Sequence, residues 1–216
     1  WMFEGRPVPT HVTREDGTEV PVTMTRGDFG YALRGLLYNA RPIAGVPMAI
    51  HQAATSGDVS PFAQALWMRD RALRPIVALG SHFAVYCTED MPFIDPREIG
   101  ELTDGTFLGT YLLDQYGAIC DLWPAGPQPR DYLEPTTADV PTLIVSGYYD
   151  PSTPAPLGDE VHRHLPNSRH IVARDQAHGA GFGCARPAVL RLLETASLEG
   201  VEPACGSAEP IEFETP

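Results

Sequence analysis

This sequence has no lysine: all 15 of its basic residues are arginine, set against 28 Asp and Glu for a net charge of −13. A surface that acidic repels a phosphate backbone, which argues against nucleic acid as a partner. The missing lysine reads as a base-composition bias of the source genome and marks no site. No stretch approaches the roughly 20 apolar residues of a membrane-spanning helix. The opening Trp1-Met2-Phe3-Glu4 has neither the basic nor the long apolar region of a signal peptide, and it lacks an initiator Met. The expectation is a processed chain or a portion of a longer protein. There is no C-x-x-C pair and no Cys–His spacing of a zinc finger, so no metal site is expected. There is also no internal repeat.

What is present belongs to an ordinary globular protein, 43% hydrophobic and 20% charged. The length suits one large domain or two small ones. Four cysteines are present: Cys87, Cys120, Cys184 and Cys205. They allow three pairings. Span arithmetic favours Cys184 with Cys205. A helix over Arg186–Leu198 is about 20 Å long, and the steps from Leu198 to Cys205 reach about 23 Å when extended. That leaves Cys87 with Cys120. Two bridges imply maturation outside the cytosol; the alternative is four buried free thiols.

The chain is organised around Pro141–Gly179. Thr142–Ser146 is a short β-branched apolar run, the pattern of a strand buried on both faces. The chain turns at Gly147 and reaches Asp150 just past the strand. Pro154 and Pro156 suit a helix start, and Leu157, Val161 and Leu165 recur at helical spacing. Arg169–Arg174 predicts a second strand, followed by His178 and Gly179. In open α/β sheets functional groups collect at the carboxyl ends of strands, where Asp150 and His178 both fall. The local alternative is a turn Asp and a loop His. An acid followed along the chain by a histidine is the order of the α/β-hydrolase triad.

Elsewhere the sequence predicts irregular structure over Trp1–Met24, with a short strand near Thr18–Met24. Helices are predicted from Asp28 through Leu37, from Pro47 towards Thr55 and over Pro61–Leu73. A short strand is predicted at His82–Cys87, and helices at Asp95–Leu102 and Phe107–Ile119. The polar, Pro-rich run Trp123–Pro135 marks a domain boundary. Glu89 and Asp90 precede the apolar Met91-Pro92-Phe93, so two readings stand: a solvated turn, or acids facing a pocket.

A triad also needs a nucleophile, which sits on a G-x-S-x-G turn between strand and helix. No serine fits that pattern. Ser81 is followed by His82 and Phe83, Ser146 lies within a predicted strand and Ser152 lies on the acid loop. Ser56, Ser60, Ser168, Ser197 and Ser207 occupy turns, the last helix or its tail.

These residues resemble a known group, the tripeptidyl-aminopeptidase-like (TAP-like) serine exopeptidases of α/β-hydrolase fold, related to proline iminopeptidase. The resemblance is carried by Val145-Ser146-Gly147-Tyr148-Tyr149-Asp150-Pro151-Ser152-Thr153-Pro154, by Ala177-His178-Gly179, and by Cys184 and Cys205. Ala84-Val85-Tyr86-Cys87-Thr88-Glu89-Asp90, Cys120-Asp121-Leu122-Trp123-Pro124 and Leu33-Arg34-Gly35-Leu36-Leu37-Tyr38 extend it. It implies an α/β fold: the C-terminal βαβα part of an incomplete hydrolase core over residues 137–216, preceded by a mostly helical cap over residues 1–136. It further implies that Asp150 orients His178 as general base and acid. Glu89, with Asp90 second, binds the ammonium of a peptide substrate. No cofactor is called for, and the partner is the missing N-terminal part of the core. The protein is then secreted or periplasmic.

Three functions compete: a fragment of a secreted serine aminopeptidase, an esterase or lipase on the same fold, and a noncatalytic accessory or binding protein that retains the module.

Overall fold

The computed structural model describes residues 3, 5–202, 205 and 211–214. In chain order the elements are β1 (Val8–Thr13), β2 (Glu19–Met24), α1 (Arg26–Leu36), α2 (Ala40–Ile43), α3 (Val46–Ser56), α4 (Ser60–Leu73), α5 (Leu79–Val85), α6 (Ile99–Thr103) and α7 (Tyr111–Cys120). Then follow β3 (Thr142–Gly147), α8 (Ala155–His164), β4 (Ser168–Ala173) and α9 (Arg186–Thr195). A π-helical turn covers Tyr86–Asp90 and a 3-10 turn covers Met91–Phe93. The chain forms two compact units, one of residues 1–35 and 56–133, the other of residues 36–55 and 134–216.

In the first unit β1 and β2 form an antiparallel hairpin, with Val12 opposite Val20. The sequence predicted irregular structure here with a single strand. Pro9 and Pro21 obscured the pattern, because proline is excluded from central strands, but a two-stranded ribbon has only edges. Gly17, at φ +83°, supplies the left-handed position that closes the loop. Val12 and Met24 turn inward, and α4 packs on β1. The Gln64 amide pairs with both backbone groups of Thr13. Phe62 is fully buried, with the Phe29 ring 4.3 Å away.

The predicted strand at His82–Cys87 is instead the end of α5 running into the π-helical turn. Tertiary packing overrides β-propensity here. Helical spacing brings His82 and Tyr86 to one face, where Tyr86 stacks on Tyr116 at 4.3 Å and His82 bonds the Tyr116 hydroxyl at 3.0 Å. A disulfide joins Cys87 to Cys120, with Cα atoms 5.1 Å apart. Helix α7 starts at Tyr111, later than the sequence suggests, because Gly109 adopts φ +54°.

The second unit is built on a parallel strand pair. β3 and β4 pair in register from Thr142 opposite Ser168 to Gly147 opposite Ala173, with α8 as the crossover. This is the β–α–β unit that the Val/Ile run and the helical spacing predict. Ile171, Ala188 and Val201 form its core, with Leu143 and Leu192 packed against them. Helix α9 ends at Thr195, where Ala196 turns left-handed at φ 48°. Cys184 and Cys205 are bridged, Cα atoms 4.9 Å apart. Both bridges follow the pairing that span arithmetic favoured, and they fit an oxidising compartment. Each closes a loop of the size that stabilises a chain by about 3–4 kcal/mol. Reductant should therefore lower the denaturant midpoint, and mass spectrometry should show four thiols appearing.

No helix among the described residues is long and apolar enough to cross a membrane.

Candidate functional site

The last residue of β3, Gly147, has to be glycine for a steric reason. A Cβ at this position would run into the carbonyl of Ala177, whose carbon would lie 2.7 Å away. The loop that follows β4 thus lies directly against the backbone of the loop that follows β3. Tyr148 N–H donates to the Ala173 carbonyl at 3.0 Å, and Tyr149 N–H to the Gln176 carbonyl at 3.1 Å. These bonds hold the two loops together at the carboxyl ends of the strands.

Asp150 lies on the first loop and His178 on the second. The Asp150 side chain is 4% exposed and that of His178 is 41% exposed. The carboxylate oxygens lie 3.1 and 2.9 Å from His178 Nδ1. An ionised carboxylate only accepts, so Nδ1 carries the proton and Nε2 keeps its lone pair. Among the described residues Nε2 has no hydrogen-bond partner. A buried acid and a part-exposed imidazole held through Nδ1, with a lone pair left on Nε2, form the arrangement a general base requires.

The Asp-Pro-Ser-Thr-Pro sequence builds the acid's half of the site. Ser152 N–H and Thr153 N–H donate to Asp150 Oδ1 at 2.8 and 3.0 Å, and the Thr153 hydroxyl donates to Oδ2 at 2.7 Å. This is an Asx turn, in which a side chain replaces the backbone acceptor. Burial by itself raises the Asp150 carboxyl. The Thr153 N–H and hydroxyl, the Ser152 N–H and His178 together outweigh it, and the carboxyl is held below its ordinary 3.8.

The sign of the pH effect follows. The folded state binds the Asp150 proton more weakly than the unfolded chain does. The resulting stabilisation is present above the ordinary carboxyl range and is lost as pH falls through the lowered folded value. Thr153→Val removes one donor and should cost about 1–2 kcal/mol at neutral pH. Acid unfolding monitored by circular dichroism should show the gap between wild type and variant closing below the ordinary carboxyl range.

A Ser–His–Asp array elsewhere in this unit was not visible in the sequence. His170 Nδ1 lies 2.8 Å from Asp159 Oδ1, and Nε2 lies 2.9 Å from Ser146 Oγ. It has the atomic order of a triad but no access. Ser146 is 6% exposed. A Cβ on Gly158 would stand 2.5 Å from His170 Nε2 and 2.7 Å from Ser146 Oγ, so the α8 backbone rests directly on the array. It ties α8 to β3 and β4 and leaves no room for a substrate. The strand–helix–strand distances that create it only exist after folding.

Glu89 and Asp90 lie in the first unit, on the π-helical turn. Glu89 is half-buried and Asp90 exposed. The Tyr132 hydroxyl donates to Glu89 Oε2 at 3.1 Å, and Phe93 stacks on Tyr132 at 5.6 Å. Gly126 N–H donates to the Thr88 hydroxyl at 3.0 Å, fastening the Pro-rich segment to the same turn. Such π turns recur at functional sites. Among the described residues no cluster of His, Cys, Asp and Glu is placed to hold a metal ion.

A parallel strand pair with a helical crossover, and polar groups at the strands' carboxyl ends, defines an α/β fold. Residues 105–205 match the family model described as TAP-like protein, an α/β-hydrolase family. That segment, which carries Asp150 and His178, is similar to the C-terminal portion of a TAP-like α/β-hydrolase. No curated protein and no solved structure matches the chain.

Proposed function

We propose that this chain supplies the acid and the histidine of a secreted serine aminopeptidase, with the nucleophilic serine on a segment outside these 216 residues. The observation that carries the reading is the buried Asp150 carboxylate on Nδ1 of a His178 whose side chain is 41% exposed. In the reaction Nε2 takes the serine proton as the hydroxyl attacks the scissile carbonyl. It then gives that proton to the leaving amine, and Asp150 stabilises the imidazolium in between. Residues 1–136 act as the cap and residues 137–216 as the end of the catalytic core.

Strand β3 supports a larger sheet. Its run Leu143-Ile144-Val145 is apolar on both faces, whereas β4 carries Arg169 and His170. Parallel sheets are buried on both sides and contain several strands. Leu157 and Val161 on α8, one helical turn apart, are exposed. They suit a covering element, and the remaining strands of the core continue from β3.

Glu89 gives the reading its substrate class. A half-buried carboxylate held by Tyr132 suits the ammonium of a peptide's free amino terminus, through a charge-assisted hydrogen bond. The test uses the parent protein with its upstream segment. A free-amine peptide should be cleaved far faster than its N-acetylated form. Glu89→Gln should raise KM for the free amine by roughly tenfold, equivalent to about 1.4 kcal/mol. Equal rates for the two peptides would turn the assignment to an esterase-type hydrolase. An upstream coding sequence with no G-x-S-x-G would favour a noncatalytic accessory protein.

A further inference from the structure

A general base is effective only if its imidazole is held in one plane with Nε2 aimed at the nucleophile. Asp150 fixes a single atom of that ring, Nδ1. It leaves open a rocking of the imidazole about the hydrogen bond. The backbone beneath the ring is not stiffened by regular structure either. His178 lies in the irregular loop between β4 and the 3-10 turn Ala180–Phe182, and Gly179, at φ +81°, follows it directly. Something other than the acid has to hold both the loop and the ring.

Tyr38 does both. It lies in the short connection between α1 and α2, within the second compact unit. Its backbone carbonyl accepts the His178 N–H at 3.1 Å. Its ring packs on the imidazole with centroids 4.8 Å apart and planes at 57°. A tilted aromatic pair at this separation is attractive and directional. The ring contact opposes rocking of the imidazole, and the carbonyl fixes the backbone from which the imidazole projects. The Leu33-Arg34-Gly35-Leu36-Leu37-Tyr38 motif stood out in the sequence with no chemistry attached to it. Its last residue meets the catalytic histidine, far from it in the chain.

We propose that Tyr38 is a positioning residue for His178, acting through its carbonyl on the loop and through its ring on the imidazole. The proposal rests on the reading of Asp150 and His178 as an acid–base pair. Substituting the Tyr38 side chain removes the ring but keeps the carbonyl, so side-chain variants isolate the ring's share. The phenol hydroxyl is not part of the argument, and Tyr38→Phe should behave as wild type.

The experiment is proton NMR of the full 216-residue chain, following the downfield Nδ1–H signal of His178 and its exchange with water. Wild type should show the signal and Asp150→Asn should abolish it. Tyr38→Ala should raise its exchange rate roughly three- to tenfold, the range expected for losing one aromatic pair. Tyr38→Phe should restore the wild-type rate. Dispersed methyl signals of Ile171 and Val201 report whether each variant is folded. If the Ala variant is not, Tyr38→Leu, which keeps apolar bulk but no aromatic face, decides. Wild-type exchange in a folded Ala or Leu variant overturns the role of Tyr38 alone. A signal that is absent in wild type, or that survives Asp150→Asn, overturns the acid–base pair and the proposal with it.

Discussion

Replacing Asp150 by Asn should lower kcat of the parent enzyme by about 10⁴-fold, and His178→Ala by roughly 10⁶-fold. The two losses differ in origin. Without His178 no group takes the serine proton. In the Asn variant the imidazole is still present, but Asn offers an N–H as well as a carbonyl. Its amide can donate to Nδ1 and leave the proton on Nε2, the wrong tautomer for a base. Neither substitution should change KM much, because both groups act in the transition state. Stability separates them further. His178 is 41% exposed at its side chain, so its truncation should cost less stability than the Asp150 change, although it removes one partner of the buried carboxylate. Asp150 is buried and accepts from Ser152 and Thr153, so the Asn variant loses charge-assisted bonds and should unfold at lower denaturant. Steady-state kinetics on a free-amine peptide, with a urea titration of each variant, check both halves. Unchanged hydrolysis in His178→Ala would sink the proposed function.

Gly147→Ala should be the most damaging single-atom addition in the second unit. The new methyl would collide with the Ala177 carbonyl and stand 3.0 Å from the Ala177 Cα. Backbone cannot swing aside as a flexible side chain can. The residue struck is the one before His178, so relief of the clash moves the histidine loop away from Asp150. Overpacking of this kind costs about 1–3 kcal/mol, and a backbone clash belongs at the upper end. The expected result is a lower urea midpoint together with a kcat loss approaching that of the Asp150 variant. Gly57 is the control: nothing lies within 4 Å of a Cβ there, but its φ is +75°. Gly57→Ala should cost only the conformational strain, about 1 kcal/mol, with kcat intact.

Several strands and helices were legible because each follows a short-range rule. A run of β-branched residues with no polar interruption predicts β3, and Leu157, Val161 and Leu165 at helical spacing predict α8. Helix α4 follows from Pro61 in its first turn, after the break at Ser56-Gly57-Asp58. The failures have one cause. The β1–β2 hairpin depends on which two segments pair, and prolines on edge strands do not announce their partners. The residues from His82 to Cys87 have strand-like composition but are helical, because Tyr116, Trp123 and Cys120 meet them only after folding.

By itself the sequence determined the order of the chemistry: an acid after one strand, a histidine after the next, and no serine on a nucleophile turn. That order is local, since turn residues and apolar runs fix strand ends within a few positions. Only the tertiary structure decided what holds the pair. The Asx turn at Thr153 could be anticipated from the Asp-Pro-Ser-Thr-Pro spacing. The contact of Gly147 with Ala177, the Ser146–His170–Asp159 array and the seat of His178 against Tyr38 could not. Each of these joins residues distant in the chain, and the register that brings them together is set by burial of the whole core rather than by any segment's own preference.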